Sequence, residues 1–256
     1  MAIGLTSTAS RFSSPYSTIT NFSASYDAGT AARRVLVVEI HVSDVGGSQP
    51  DVTGNVTYNS VAMTHAVSGV HTYAAGANTQ RHKVYYLANP ASGSNTLAFS
   101  FDSSCSKAIV HAYVLADCDG IVSGQIASGG GNLSSYALTP PSSTVSGNWL
   151  SGGCGSVAAR SWNMTTGTDI IGTPNLTDAE VLSGYESATG GTDTWDASGN
   201  GSAARGAGAM AEFNEDTGAG GRTTRNTDPY PLGVRHGESF MMPGIIGNLR
   251  EALQSL

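Results

Sequence analysis

Val84-Tyr85-Tyr86-Leu87-Ala88-Asn89-Pro90-Ala91-Ser92-Gly93-Ser94-Asn95-Thr96-Leu97-Ala98-Phe99-Ser100-Phe101 reads as two strands and the connection between them. Aromatic and branched residues favour extended chain, while Asn, Pro, Ser and Gly punctuate it. Pro90 cannot donate to a ladder, so the run 89–95 is a connection. After it, Leu97, Phe99 and Phe101 alternate with Ala98 and Ser100, which gives one apolar face and one nearly polar face. Upstream, Val56-Thr57-Tyr58-Asn59-Ser60-Val61-Ala62-Met63-Thr64 repeats the grammar at shorter range. Tyr58 to Val61 reads as a tight hairpin, because Asn tolerates the left-handed backbone such turns need.

The same pattern extends in both directions. Arg33 to Val42 is the strongest single strand, with Leu36, Val38, Ile40 and Val42 on one face and Val35, Val37, Glu39 and His41 on the other. Its Val and Ile content predicts a central strand with its Glu-His end nearer solvent. Ala108 to Ala116 places Ile109, His111, Tyr113 and Leu115 together, opposite Val110, Ala112 and Val114. Downstream, Gly129-Gly130-Gly131 predicts the start of a loop that runs to Pro140-Pro141. Gly152-Gly153-Cys154-Gly155-Ser156 predicts a strand whose small residues permit close backbone approach. About ten strands result, which fits an all-β, two-sheet β-sandwich of jelly-roll or Greek-key type.

The order of these residues carries a resemblance. VTYNSVAMT, then VYYLANPASGSNTLAFSF, then an apolar strand closing at Ala116-Asp117-Cys118-Asp119-Gly120 resembles a β-sandwich module that recurs in tailed-bacteriophage virion proteins and bacterial surface proteins. That family follows V-T-Y-x-G-V-x-M-T and Y-Y-L-x-x-P-x-x-G; here Ser60 stands at the usual turn glycine. The resemblance covers Val52 to about Ile121. It implies a structural role and brings no catalytic residues with it.

Composition narrows the function classes. Charged residues are 12% of 256, against a typical quarter, and glycine numbers 33. This suits a turn-rich sheet protein. The net charge of −7 argues against nucleic acid as a partner, since duplex binding needs a basic face. No apolar run approaches the ~20 residues that span a membrane. The first residues lack the apolar core of a signal peptide, so the expectation is synthesis in a host cytoplasm and work in the virion.

Candidate sites are few. The histidines are His41, His65, His71, His82, His111 and His236, and none shows a metal-ligand spacing. If the strands of His41 and His111 pair, Glu39, His41 and His111 approach one another; a strand histidine is otherwise a satisfied polar group. Asp193-Thr194-Trp195-Asp196 with Asn200 fails the calcium-loop spacing and reads as a turn. Gly153-Cys154-Gly155-Ser156 is no nucleophile elbow. Trp149, Trp162, Trp195, Tyr73 and Tyr185 are candidates for a sugar platform or for core. Cys105 and Cys118 flank one predicted strand, too far apart for the ~4.4–6.8 Å between Cα atoms that a disulfide allows. No catalytic, metal or cofactor set emerges.

Three segments are expected: an N-terminal arm over 1–17, a β-sandwich domain over 18–227, and an extended C-terminal arm over 228–256. Ile246, Leu249, Leu253 and Leu256 mark one stripe of a short amphipathic helix that must dock on something. Tyr230, Pro231 and Ile245 precede or join it as expected interface residues. The reading is a non-enzymatic structural virion protein, a head decoration or cement subunit. It contacts its own copies as a homo-oligomer and other virion proteins, whether major capsid or tail proteins. The alternatives are a tail or fibre subunit, or a carbohydrate-binding adhesin module with a glycan partner.

Overall fold

A computed structural model describes residues 2–6, 9–13, 19–44, 50–73, 78–105, 107–156, 161–172, 180–200 and 203–216. All fall within one compact unit, Met1–Gly220. The expected C-terminal arm and helix, with Tyr230, Pro231, Ile245, Ile246, Leu249, Leu253 and Leu256, lie outside the described residues.

Eighteen strands follow in order among the described residues. The N-terminal half supplies β1 (Gly4–Leu5), β2 (Ser10–Ser13), β3 (Ile19–Asp27), β4 (Arg34–Asp44), β5 (Val52–Tyr58), β6 (Val61–Ala62), β7 (Thr64–Tyr73), β8 (Asn78–Ala88), β9 (Ser94–Cys105) and β10 (Ala108–Ala116). The C-terminal half supplies β11 (Cys118–Leu133), β12 (Ser135–Leu138), β13 (Trp149–Ser156), β14 (Trp162–Met164), β15 (Thr168–Ile171), β16 (Glu180–Ser187), β17 (Trp195–Gly199) and β18 (Ala204–Glu215).

They form four antiparallel sheets. The first runs β3-β9-β5-β6. The second runs β10-β4-β8-β7, with β1 and β2 both on the outer edge of β10. The third runs β11-β18-β13-β16-β15, and the fourth β12-β17-β14. The expected N-terminal arm is therefore partly strand: Gly4 pairs with Ala116 and Arg11 with His111.

Side-chain alternation stacks these sheets. Leu36, Val38, Ile40 and Val42 of β4 pack with Val110, Ala112 and Val114 of β10 against Tyr58, Leu97, Phe99 and Phe101 of the first sheet. Val35, Val37, Tyr113 and Leu115 face the other way, onto Trp149, Ala209, Ala211 and Phe213 of the third sheet. The third sheet's opposite face carries Leu150, Cys154, Leu182 and Met210 against Trp162, Trp195 and Tyr136. The expectation of one two-sheet sandwich is therefore revised. Each half folds as its own pair of sheets, and the pairs meet face to face. The reason lies in β4, β10 and β13, which are buried on both faces. Each fully buried Val, Leu, Ile or Phe contributes about 1.5–3 kcal/mol over exposure, so a strand apolar on both sides is satisfied only between two neighbours.

The hairpin reading at Asn59 and Ser60 holds. Tyr58 pairs with Val61, and Asn59 and Ser60 take φ of 50° and 63°, a two-residue hairpin turn with both central residues left-handed. The glycine run 129–131 does not open a loop; it lies within β11, paired with Ala207 and its neighbours on β18. A Cβ on Gly130 would sit 2.9 Å from the Val70 carbonyl carbon, so glycine here permits β7 to cross close by.

Candidate functional site

The seam between the halves holds the richest collection of chemical groups. Register explains how it forms. On β4, Glu39 and His41 point to the face that meets the third sheet. His111 pairs with Glu39 across β10, and His82 pairs with His41 across β8. Tyr113 lies two residues beyond His111 on the same face. Across the seam, β13 presents Ser151, Gly153 and Gly155, and β16 presents Ser183.

Glu39 is the hub. Its Oε1 accepts from Tyr113 Oη at 2.6 Å; its Oε2 accepts from Ser183 Oγ at 2.7 Å and from His82 Nε2 at 3.0 Å. Ser183 is 144 residues from Glu39 in the chain and Tyr113 is 74, so no local signal joins them. His111 Nδ1 lies 2.7 Å from Ser183 Oγ, and Tyr113 Oη lies 2.9 Å from Ser151 Oγ. Proton bookkeeping fixes the roles. A carboxylate only accepts, so Ser183 gives its one proton to Glu39 and His111 Nδ1 donates to Ser183. His111 Nε2 and His82 Nδ1 are then bare nitrogens, and both are buried without a hydrogen-bond partner.

That polarity decides what the cluster can do. Nucleophile activation needs a histidine nitrogen that accepts the serine proton. Here the serine proton points to the carboxylate, and the histidine nitrogen that meets the serine is a donor. Glu39 and His41 are 1% exposed, and His82 and His111 0%. The expectation that the Glu-His end of β4 nears solvent is corrected: the third sheet covers it. The glycines of β13 make that cover possible. A Cβ on Gly155 would lie 2.7 Å from His41 Cε1, and one on Gly153 would lie 2.8 Å from His82 Cε1 and overlap the Glu39 carboxylate.

Burial controls the titration. It pushes the His41 imidazole down to about 3, with His82 adding to the effect and Gln80 opposing it. His111 is held well below its ordinary value, by burial first and then by Arg11, His82 and His41. The Tyr113 hydroxyl is pushed well up, by burial and then by Glu39. In the unfolded chain both histidines titrate near ~6.5. Below that pH the unfolded state binds protons that the folded state refuses, so stability falls as pH drops from ~6.5. For His41 the fall ends near 3. The slope is up to about 1.4 kcal/mol per pH unit for each histidine. Urea unfolding at about pH 7.5, 6 and 5 measures it; equal midpoints at all three contradict the assignment.

No family model, curated protein or solved structure matches this chain.

The remaining candidates take structural places. His65 is hydrogen-bonded through Nε2 to Ser68 Oγ at 2.8 Å, with its ring against Tyr85. His71 lies on β7, and His236 lies outside the described residues. The Asp193 carboxylate accepts from the Thr189 N–H and hydroxyl and from the Thr144 hydroxyl and clamps the connection before β17; the expected turn over 193–196 is corrected, since Trp195 and Asp196 open that strand, paired with Leu138 and Ala137. Burial pushes the Cys154 thiol well up, away from nucleophile behaviour. None of the three cysteines is in a disulfide, and all are buried. The three tryptophans are interior. Trp162 donates to Ser156 and Trp195 to the Gly184 carbonyl, while Trp149 stacks on Tyr185 at 3.7 Å between centroids. A sugar platform needs an exposed ring face, and none of the three offers one. Among the described residues no three His, Cys, Asp or Glu side chains are arranged to hold a metal ion, and no helix is long and apolar enough to cross a membrane.

Proposed function

We propose that this chain is a non-enzymatic structural protein of a tailed-phage virion, a head decoration or cement subunit that stabilises the particle through contacts between subunits. The observation that supports this reading is where the chemistry sits: the Glu, His, Ser and Tyr groups that could catalyse are spent inside the seam, holding sheet to sheet. What remains outside is scaffold. The outer face of the first sheet is lined by Ser23, Ser25, Thr57 and Thr96, and the sheet edges are short strands or twisted by bulges. Strand neighbours are often non-consecutive in sequence, as in Greek-key and jelly-roll chains, and the resemblance over Val52–Ile121 points to the same class.

In this reading residues 228–256 clasp a neighbouring copy or another virion protein, and many symmetric copies sum to particle stability. Light scattering on the purified protein tests it. The full chain is expected as a trimer or larger, and the chain ending at residue 227 as a folded monomer. Equal masses for the two forms overturn the clasping role.

A further inference from the structure

We propose that the seam between the two halves is an acid-sensitive catch: it tolerates one balanced imidazolium, and a second proton parts the halves while the core within each half stays closed. The seam has one hub carboxylate, Glu39, and three histidines around it, His41, His82 and His111. A proton on His82 Nδ1 makes an ion pair with Glu39, 3.0 Å from His82 Nε2, so the first charge is balanced. A second proton has no such partner. On His111 it lands on Nε2, which is bare and lies near the Arg11 guanidinium. On His41 it lands beside His82, whose ring centroid is 5.7 Å away.

The other groups around the seam do not relieve this. From β2 comes Arg11, which interacts with Glu180 of β16, so those two charges offset one another. From β8 comes the neutral Gln80, and from β10 the Tyr113 hydroxyl, already committed to Glu39. From β16 comes Ser183. From β13 come Ser151 and the glycines at 153 and 155, which bring no charge and lie so close to the rings that even an added Cβ would clash with them. A buried, unpaired imidazolium is expelled by exposing it to water, and the only way out is to separate β13 and β16 from β4, β8 and β10. The neighbouring interfaces are apolar at their centres, and His65, which lies against Tyr85 of the first, is exposed to solvent, so acid acts on this seam first.

The protein carries its own reporters. Cys105 belongs to the core between the first and second sheets, Cys118 to the seam, and Cys154 to the core between the third and fourth. The full chain is incubated from neutral pH down to about pH 4 with 4,4′-dithiodipyridine, which reacts with thiols in acid, and each cysteine is followed by peptide mass analysis. Cys118 is expected to label first, its rate rising up to about tenfold per pH unit relative to Cys105 and Cys154 as the extra proton is taken up. His41→Phe removes a proton acceptor and keeps a ring, so its onset moves to lower pH. Glu39→Gln removes the counter-charge, so its onset moves to higher pH. If either variant fails to fold, His111→Asn substitutes for it, with an onset at lower pH. Simultaneous labelling of all three cysteines, or Cys105 or Cys154 ahead of Cys118, overturns the catch. So does a Cys118 onset that none of the variants moves, since fraying of the strand end alone behaves that way.

Discussion

Replacing Glu39 with alanine is expected to cost about 3–5 kcal/mol of unfolding free energy, the range for removing one partner from a buried charged network. The loss does not come from the carboxylate's packing. It comes from what is left behind: the Tyr113 hydroxyl, the Ser183 hydroxyl and the His82 Nε2–H lose their shared acceptor at a site water does not reach. Glu39→Gln keeps one carbonyl oxygen in place and is expected to lose less than Glu39→Ala. Replacing Glu39, His82 and Ser183 with apolar residues of similar volume, together with Tyr113→Phe and His111→Phe, removes the orphaned donors along with the acceptor, and is expected to recover most of the stability. Urea unfolding followed by tryptophan fluorescence reads all three. A Glu39→Ala loss under about 1 kcal/mol would mean that water enters the seam freely, and the network would then hold little.

Much of the N-terminal half was legible because its strands obey period two. Leu36, Val38, Ile40 and Val42 were placed on one face by spacing alone, and they pack as one cluster. The hairpin at Asn59 and the connection after Ala88 were legible because turn chemistry is local. What the sequence hid was the cover on the other face. Three of the five odd-numbered residues of β4, Glu39, His41 and Ser43, are polar, so that face reads as solvated, yet a second pair of sheets lies over it. Polarity marks a group that needs a partner, and the partner is water only by default. Ser183, which meets His111 from 72 residues away, had no local signal at all. The signal that existed was volume. The run Gly152-Gly153-Cys154-Gly155 announced a strand approached closely by something, and Glu39, His41 and His82 are large polar groups that needed such a hollow. The C-terminal half was read less well for a related reason. Its strands are built from Gly, Ala and Ser, which have weak strand propensity, so Gly129 to Gly131 passed for a loop. Tertiary packing makes them strand.

The second large effect is expected at that hollow. Gly153→Ala adds a single methyl group, and overpacking by a methylene ordinarily costs about 1–3 kcal/mol. At this position the cost is expected at or above the top of that range. The added Cβ overlaps the Glu39 carboxylate and lies 2.5 Å from the Leu182 carbonyl oxygen and 2.8 Å from His82 Cε1. A flexible side-chain tip can move aside; the Leu182 carbonyl cannot, because it sits in the β13–β16 ladder where Gly153 faces Ser183 and Cys154 faces Leu182. Relief therefore requires β13 to shift away from β4, which stretches the bonds from Ser183 to both Glu39 and His111. Gly4→Ala is the control, since a Cβ there meets nothing within 4 Å and its change is expected within about 0.5 kcal/mol. The two large effects also interact. With Glu39 already alanine, one of the groups that the new methyl overlaps is gone, so the double variant Gly153→Ala with Glu39→Ala is expected to be more stable than the sum of the single losses by about 0.5–3 kcal/mol. Strict additivity would place the two residues out of contact and would refute the glycine floor beneath the carboxylate.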